Sequence, residues 1–183
     1  MSEQPSAGQE LTVRALSEAE WSEFKTVRLA ALADAPEAFA ATAEEEEAFD
    51  EDYWRARMRR SVRFVAERGE APLGVVSLGD GKAEDHSVGE IFGLWVRPEA
   101  RGTGVATALV RAGARRARQD GRSFVAYWVG TDNGPGVAFA SGMGFRPTDF
   151  RRPMRVQSGD NDDNEEAAMV LPLGDDRGQI LDL

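Results

Sequence analysis

Apolar and polar positions in the first third of the chain follow strand-like spacing and then helical spacing. Residues 11–16 alternate well enough to predict a first strand. A capping box at residues 17–20 and an apolar repeat that starts at Trp21 predict a helix that ends before Pro36. A second helix is predicted over roughly residues 50–60.

The middle of the chain has the pattern of a hairpin, a central strand and a helix. Residues 62–67 and 73–78 flank a turn-rich connection, which predicts the hairpin. Residues 90–96 are apolar on both faces after the first residue, as is typical of a strand that is covered on both sides. From Gly104 the apolar spacing becomes helical, and Gly121 provides a stop signal.

The last third of the chain predicts three more strands and one short helix. Residues 123–129 form a buried strand pattern, and residues 135–143 a helix that ends at Gly144. Strand-like segments follow near residues 145–156 and 167–173.

These elements predict an α/β (α+β) domain with a mixed, mainly antiparallel central sheet flanked by helices. Hairpins need antiparallel pairs, whereas the strand, helix and strand between residues 90 and 129 need a parallel pair. We expect a single domain over residues 10–173, with flexible tails at residues 1–9 and 174–183.

Composition excludes several kinds of site. The chain has no cysteine and a single histidine, His86, so thiolate and multi-histidine metal sites are excluded and we expect no metal. Its apolar runs are short and its first ten residues are polar, which predicts no membrane span, no secretory signal and a cytoplasmic location.

Charge is distributed unevenly along the chain. The net charge of −10 argues against nucleic acid as a partner, because neutralising phosphates requires a basic face. Residues 93–120 nevertheless hold six arginines against only Glu99 and Asp120. This local excess of positive charge predicts an anion site.

The loop over residues 96–106 is the strongest candidate for that site. Gly102 and Gly104 permit a turn in which backbone N–H groups converge, and the start of the following helix adds partial positive charge. A phosphate or pyrophosphate would fit there, although a simple tight turn is the alternative. The standard P-loop and dinucleotide-binding patterns are both absent.

The same loop resembles the acyl-CoA pyrophosphate loop of the GNAT acetyltransferase superfamily. The resemblance is carried by Val96-x-Pro98 followed by Arg101-x-x-Gly104-x-Ala106. Asn133, the pair Gly144-Phe145 and the closing segment from Glu166 to Leu173 resemble later signatures, so that the likeness extends over residues 11–173.

This resemblance implies a V-shaped cleft where the strand that ends at Val96 separates from the strand over residues 123–129. The backbone of Leu94 and Val96 would bind pantetheine, the loop would hold the pyrophosphate, and Asn133 would contact the far arm of the cofactor. The expected cofactor-binding residues are Leu94, Trp95, Val96, Arg101, Gly102, Thr103, Gly104, Val105, Ala106, Thr107 and Asn133.

The implied activity is transfer of an acetyl group from acetyl-CoA, as cosubstrate, to a primary amine by direct attack in a ternary complex. An ammonium acceptor must first lose a proton, and Glu90 is the candidate base, at a position where some family members carry theirs. A surface carboxylate or a structural ion pair is the alternative for Glu90. His86 is the rival base, although its polar surroundings are more typical of a loop.

One position departs from the family pattern. The family often has a tyrosine four residues before the Gly-Phe pair to protonate the leaving thiolate, and here that position is Ala140. Ser141 or a water molecule could take over this role. A thiolate is already a tolerable leaving group, so we expect a slower rather than an abolished reaction.

The acceptor is expected to be a small cationic amine. Residues 44–52 contain seven carboxylates and residues 160–166 contain five, and both segments would flank the opening of the cleft. Increased solubility is the alternative role of these charges. Tyr53, Trp54 and Trp95 could offer aromatic faces to a substrate.

Two other functions stay open at this stage. The missing tyrosine allows a non-catalytic acyl-CoA-binding or sensing module, and the acidic segments allow docking by a protein whose lysine or N-terminal amine is acetylated. A homodimer is also possible, and an exposed apolar edge strand after residue 145 would favour it.

Overall fold

The computed structural model describes residues 9–81, 84, 86–154 and 164–174. Within these residues, seven strands and five α-helices follow one another in this order: β1 (Leu11–Ala15), α1 (Trp21–Asp34), α2 (Ala43–Glu47), α3 (Glu51–Arg60), β2 (Val62–Arg68), β3 (Ala71–Asp80), β4 (Val88–Val96), α4 (Val105–Gln119), β5 (Phe124–Gly130), α5 (Gly134–Gly142), β6 (Arg146–Pro153) and β7 (Glu165–Pro172).

The strands form one mixed sheet in the order β1-β2-β3-β4-β5-β7-β6. The pair formed by β4 and β5 is parallel, and the other neighbours are antiparallel. Helix α4 makes the crossover between the two parallel strands. The predicted fold class is therefore confirmed.

Helices cover both faces of the sheet. On one face, Leu109 and Val110 of α4 pack with Ile91, Val76 and Val125 in the larger core cluster. On the other face, helices α1 and α3 bury a second cluster, whose members are Leu16, Phe24, Val27, Ala31, Trp54, Met58, Val65, Val75 and Trp95. Neighbouring residues of one strand divide between the two clusters, as the two-residue repeat of a strand requires.

Local signals explain where the first helices begin and end. A 3-10 turn at Glu18–Glu20 leads directly into α1, and its capping box includes a hydrogen bond of 2.9 Å from the Ser17 amide to the Glu20 carboxylate. Helix α1 ends at Asp34, two residues before Pro36. The acidic run at residues 44–47, expected to be a solvated loop or a helix start, belongs to α2, where Thr42 and Glu45 form a capping box.

Two expectations about strands need correction. The central strand begins at Val88, so Glu90 is its third residue and not its first. The edge strand β6 contains three arginines and two prolines, so it is not the apolar edge that would have favoured a homodimer.

Some sequence expectations fall outside the described residues. These are the tails at residues 1–8 and 175–183 and the acidic positions 160–163. Within the described part of the chain, no helix is long and apolar enough to cross a membrane. The same residues contain no group of three or more potential metal ligands.

Candidate active site

Strands β4 and β5 separate halfway along their length. Their parallel pairing runs from Val88 opposite Phe124 to Ile91 opposite Tyr127 and stops there. In the next residues the register between β3 and β4 shifts, and Gly93 has a φ of 64°. A bulge with a left-handed glycine bends a strand and increases its twist. The pairing of β4 and β5 therefore ends where the V-shaped opening is predicted.

The loop after β4 presents a row of free backbone N–H groups. Gly102 and Gly104 have φ values of 75° and 88°, and a Cβ at either position would have no neighbour within 4 Å. None of the described residues accepts a hydrogen bond from the amides of residues 102–107, which lead into the 15-residue helix α4. This open backbone is suited to a pyrophosphate, because N–H groups and the helix N-terminus both attract anions.

The side chains of Arg101 and Trp95 fix the loop to α1. Arg101 Nε donates to the Val96 carbonyl at 3.0 Å, and its Nη2 lies 2.6 Å from Asp34 Oδ2. The buried Trp95 donates from Nε1 to the same oxygen at 2.9 Å. The Trp95 hydrogen bond, followed by Arg101, lowers the pKa of Asp34. Both side chains thus hold the loop against α1, and their contact with the cofactor stays a prediction.

The other predicted cofactor residues lie around the same opening. Leu94 and Val96 are on the separated half of β4, and the Thr103 hydroxyl donates to the Ala100 carbonyl at 2.5 Å. Asn133 is the N-cap of α5, and its Oδ1 accepts from the Gly136 amide at 3.0 Å. Val105 is buried, whereas Ala106 and Thr107 are half-buried in the first turn of α4.

Helix α5 offers no hydroxyl at the position of the missing tyrosine. Ala140 is 1% exposed and packs in the larger core, and Ser141 is exposed. A hydroxyl that sequence reasoning missed is that of Tyr127, the last β5 residue paired with β4. Its ring packs edge-on against Phe145, with centroids 6.2 Å apart, and burial, with a smaller contribution from Glu166, raises its pKa.

Glu90 lies on the sheet face opposite to that of Tyr127, where it forms an ion pair with Arg152. Its side chain is 17% exposed, and Oε1 is 3.2 Å from Arg152 Nη2. Arg152 also pairs with Glu166 and lies over the Trp128 ring, 4.2 Å from its centroid. The ion-pair alternative for Glu90 therefore describes its surroundings correctly. Arg152 and Glu166 are neighbours in the β6–β7 pairing, which sequence alone did not specify.

His86 is not close to the opening. Its side chain is 73% exposed, and it precedes Val88, at the end of β4 where the strands are still paired. Nδ1 lies 3.9 Å from Asp80 Oδ2. The structure therefore leaves Glu90 as the better candidate base.

Several acidic side chains in residues 44–52 have structural partners. Glu46 is buried against Arg28 and Arg57, Asp50 caps α3, and Glu51 pairs with Arg55. The expected aromatic faces also need correction, because Trp54 and Trp95 are buried in the second core cluster. Tyr53 is stacked on Phe49 with centroids 3.9 Å apart.

Comparison with known proteins agrees with this arrangement. Residues 17–145 match the model of the acetyltransferase (GNAT) family. An uncharacterised N-acetyltransferase of Methanocaldococcus jannaschii is 32% identical over 95 residues, which is 50% of this chain and 42% of that protein. Mycothiol acetyltransferase of Saccharomonospora viridis is 41% identical over 58 residues, or 32% of this chain and 19% of that protein. The chain thus spans less than half the length of these curated relatives.

Solved structures show the same fold. The structure of YncA from Salmonella typhimurium with acetyl-CoA has a TM-score of 0.70 at 19% identity, covering 92% of this chain and 96% of that one. The family match covers most of the described domain, including the separated strands and the glycine loop. The chain therefore belongs to the GNAT acetyltransferase family.

Proposed function

We propose that this protein transfers an acetyl group from acetyl-CoA to a primary amine. The observation that carries the proposal is the combination of the opening between β4 and β5 with the row of free amides over residues 102–107. A thioester cofactor with a pyrophosphate needs an extended groove for its pantetheine arm and an anion-binding loop for its phosphates. Here the opening and the loop lie at opposite ends of the part of β4 that is not paired with β5.

Acetyl-CoA would supply an activated acetyl thioester. The loop over residues 102–106 would hold its pyrophosphate through backbone N–H groups, with the Arg101–Asp34 contact keeping the loop in place. The backbone groups of Leu94 and Val96 on the side not paired with β5 would align the pantetheine arm. Asn133, which follows the end of β5, would border the far arm of the cofactor.

Glu90 would accept the proton that the acceptor ammonium must lose. It is the third residue of β4, one residue before the separation, and its carboxylate lies on the face covered by α1, α2 and α3. Arg152 acts as a positioning residue, because its ion pair fixes one Glu90 oxygen at 3.2 Å and leaves the carboxylate half-buried. General base catalysis requires this kind of fixed acceptor near the reacting amine.

Two hydroxyls could hold the proton that the departing sulfur requires. Ser141 is exposed on α5, and Tyr127 stands at the apex of the opening on the α5 face. The Tyr127 hydroxyl is protonated at neutral pH and can donate a proton to the sulfur, although burial raises its pKa and so makes it a weaker acid. We favour Tyr127, with Ser141 as the alternative.

A non-catalytic acyl-CoA-binding module is the second candidate function. Two observations favour it, namely the Glu90–Arg152 ion pair and the buried Ala140 where the family often has a tyrosine. Such a module would keep the cofactor site and lack turnover.

The test is thiol release from acetyl-CoA across polyamines, amino sugars, amino acids and short peptides. We expect release with at least one amine class and a large loss of kcat in Glu90→Gln. Glu70→Gln is the control, because Glu70 lies in the exposed turn between β2 and β3. Tight acetyl-CoA binding without release on any amine would replace the transferase with the binding module.

A further inference from the structure

Three arginines and one glutamate pack together beneath α1, α2 and α3, and two of the four are buried. Arg28 is on α1, Glu46 on α2, Arg57 on α3 and Arg63 on β2. Glu46 and Arg63 are 3% and 4% exposed.

The single carboxylate is fully used by two of the arginines. Glu46 Oε2 accepts from Arg28 Nε at 3.0 Å, and Oε1 accepts from Arg28 Nη2 at 3.1 Å. Arg57 Nη1 lies 3.1 Å from the same Oε2. The described cluster therefore carries three positive charges against one negative charge.

Arg63 has no carboxylate partner among the described residues. Its Nη1 donates to Ser77 Oγ at 2.7 Å and its Nη2 to the Arg57 carbonyl at 3.0 Å, while Nε is buried without a partner. Phe24 and Phe92 face its guanidinium at 4.7 and 5.5 Å.

This environment is unfavourable for a cation. Burial, followed by the positive charges of Arg57 and Arg28, lowers the pKa of Arg63 to about 9. Aromatic faces and neutral oxygens reduce the cost of a buried charge but do not cancel it, and buried charges are normally paired. An added anion would reduce the excess positive charge and accept a hydrogen bond from the free Arg63 Nε–H.

The cluster borders the face from which an acceptor would approach Glu90. Ser77, the partner of Arg63, pairs with Phe92 of β4, and Phe92 lies two residues after Glu90 on the same face. Phe92 is 36% exposed. Its ring therefore contacts both solvent and the guanidinium of Arg63, whose Cζ is 5.5 Å from the ring centroid.

We propose that the acceptor amine carries a carboxylate, and that Arg63 binds this carboxylate while the amine lies at Glu90. The proposal rests on the proposed acetyl transfer and names its substrate class. It replaces a purely cationic acceptor with a zwitterionic one, in which several bonds separate the amine from the acid group. Phe92 would contact the hydrocarbon between the two ends.

The experiment compares acceptors that differ only in this acid group. Wild-type protein at saturating acetyl-CoA is assayed for thiol release with glycine, β-alanine and γ-aminobutyrate, each against its carboxamide, and with dipeptides that have free or amidated C-termini. We expect kcat/KM for at least one acid to exceed that of its amide by about 10- to 100-fold, as one charge-assisted contact allows.

Variants then assign the preference to Arg63. Arg63→Met should bring acid and amide to equal kcat/KM through a higher KM for the acid, and Arg63→Lys should retain part of the difference. Arg60→Met is the control, because Arg60 is exposed at the end of α3 and its loss removes the same charge. If Arg63→Met does not fold, propionate against propionamide as competitive inhibitors of wild-type protein gives the same comparison.

Each adverse outcome has a distinct meaning. Equal rates for acids and amides, with propionate no better than propionamide, overturn the carboxylate site and leave acetyl transfer standing. If chloride inhibits thiol release as strongly as propionate does, and acids are not preferred over amides, the site binds an adventitious ion only. That result also overturns the carboxylate site. Absence of thiol release with every acceptor overturns the acetyl transfer and this inference together.

Discussion

Replacing the buried Glu46 by glutamine tests the charge balance beneath α1, α2 and α3. The substitution keeps the shape of the side chain and one acceptor oxygen but removes the only negative charge of the cluster. Breaking a buried ion pair by removing one partner costs about 3–5 kcal/mol, and the retained oxygen places Glu46→Gln near 3 kcal/mol. For a domain of this size that loss lowers Tm by roughly 6–12 °C.

The pH dependence gives a second, independent check of the same carboxylate. Burial alone would raise the pKa of Glu46, but the hydrogen bonds and charges of Arg28 and Arg57 outweigh it and lower the pKa below its ordinary value of 4.5. A carboxyl group whose pKa is lowered on folding stabilises the protein above its unfolded pKa, and this contribution is lost as pH falls through the folded pKa. The stability gap between wild type and Glu46→Gln should stay constant above about pH 5 and narrow below about pH 4.

The assay is urea unfolding followed by tryptophan fluorescence, since Trp54 is buried in the neighbouring core cluster. Glu47→Gln is the matched control, because Glu47 is the exposed next residue of α2. The reasoning would be refuted if both variants lost about 1 kcal/mol or less in free energy of unfolding. It would also be refuted if the difference in stability between wild type and Glu46→Gln did not narrow in acid. Either result would show that the arginines need no counter-charge.

Two further predictions concern the cofactor and the leaving group. Gly104→Ala should weaken acetyl-CoA binding, measured by calorimetry, by about 5- to 30-fold, because a non-glycine residue in the left-handed region costs roughly 1–2 kcal/mol. The control is Gly142→Ala, which should leave the affinity unchanged, because Gly142 has equally open space but no positive φ. Tyr127→Phe should lower kcat by about 100-fold without changing acetyl-CoA affinity, whereas Ser141→Ala and the control Tyr53→Phe should stay within about twofold. If Ser141→Ala lowers kcat more than Tyr127→Phe does, the proton donor is Ser141 on α5.

Local patterns predicted the elements because each signal acts within a few residues. Alternation, capping residues and proline or glycine stops determine strands and helices within one or two turns, and the observed boundaries follow them closely. The loop at residues 96–106 was also predictable, since its glycines and helix start are consecutive in sequence.

Side-chain surroundings were less predictable because their partners are distant in sequence. The acidic run that contains Glu46 has the pattern of a solvated segment, yet its partners come from α1 and α3. Arg101 and Asp34 are 67 residues apart. Alternation in β5 indicated a strand but did not show that Tyr127 would be its last residue paired with β4. Only the tertiary packing determines these contacts.

The two faces of the sheet place positive charge at both ends of the proposed reaction, despite a net charge of −10. The loop before α4 would attract the phosphates of the proposed cofactor, and the cluster beneath α1, α2 and α3 contains three arginines and the single carboxylate of Glu46. Glu90, on the same strand as Phe92, is a carboxylate suited to an ammonium group. A polyamine would satisfy Glu90 but would bring more positive charge towards Arg63, whereas an amine with a distant carboxylate satisfies both. Charge complementarity along this face therefore favours a zwitterionic acceptor over a polycation.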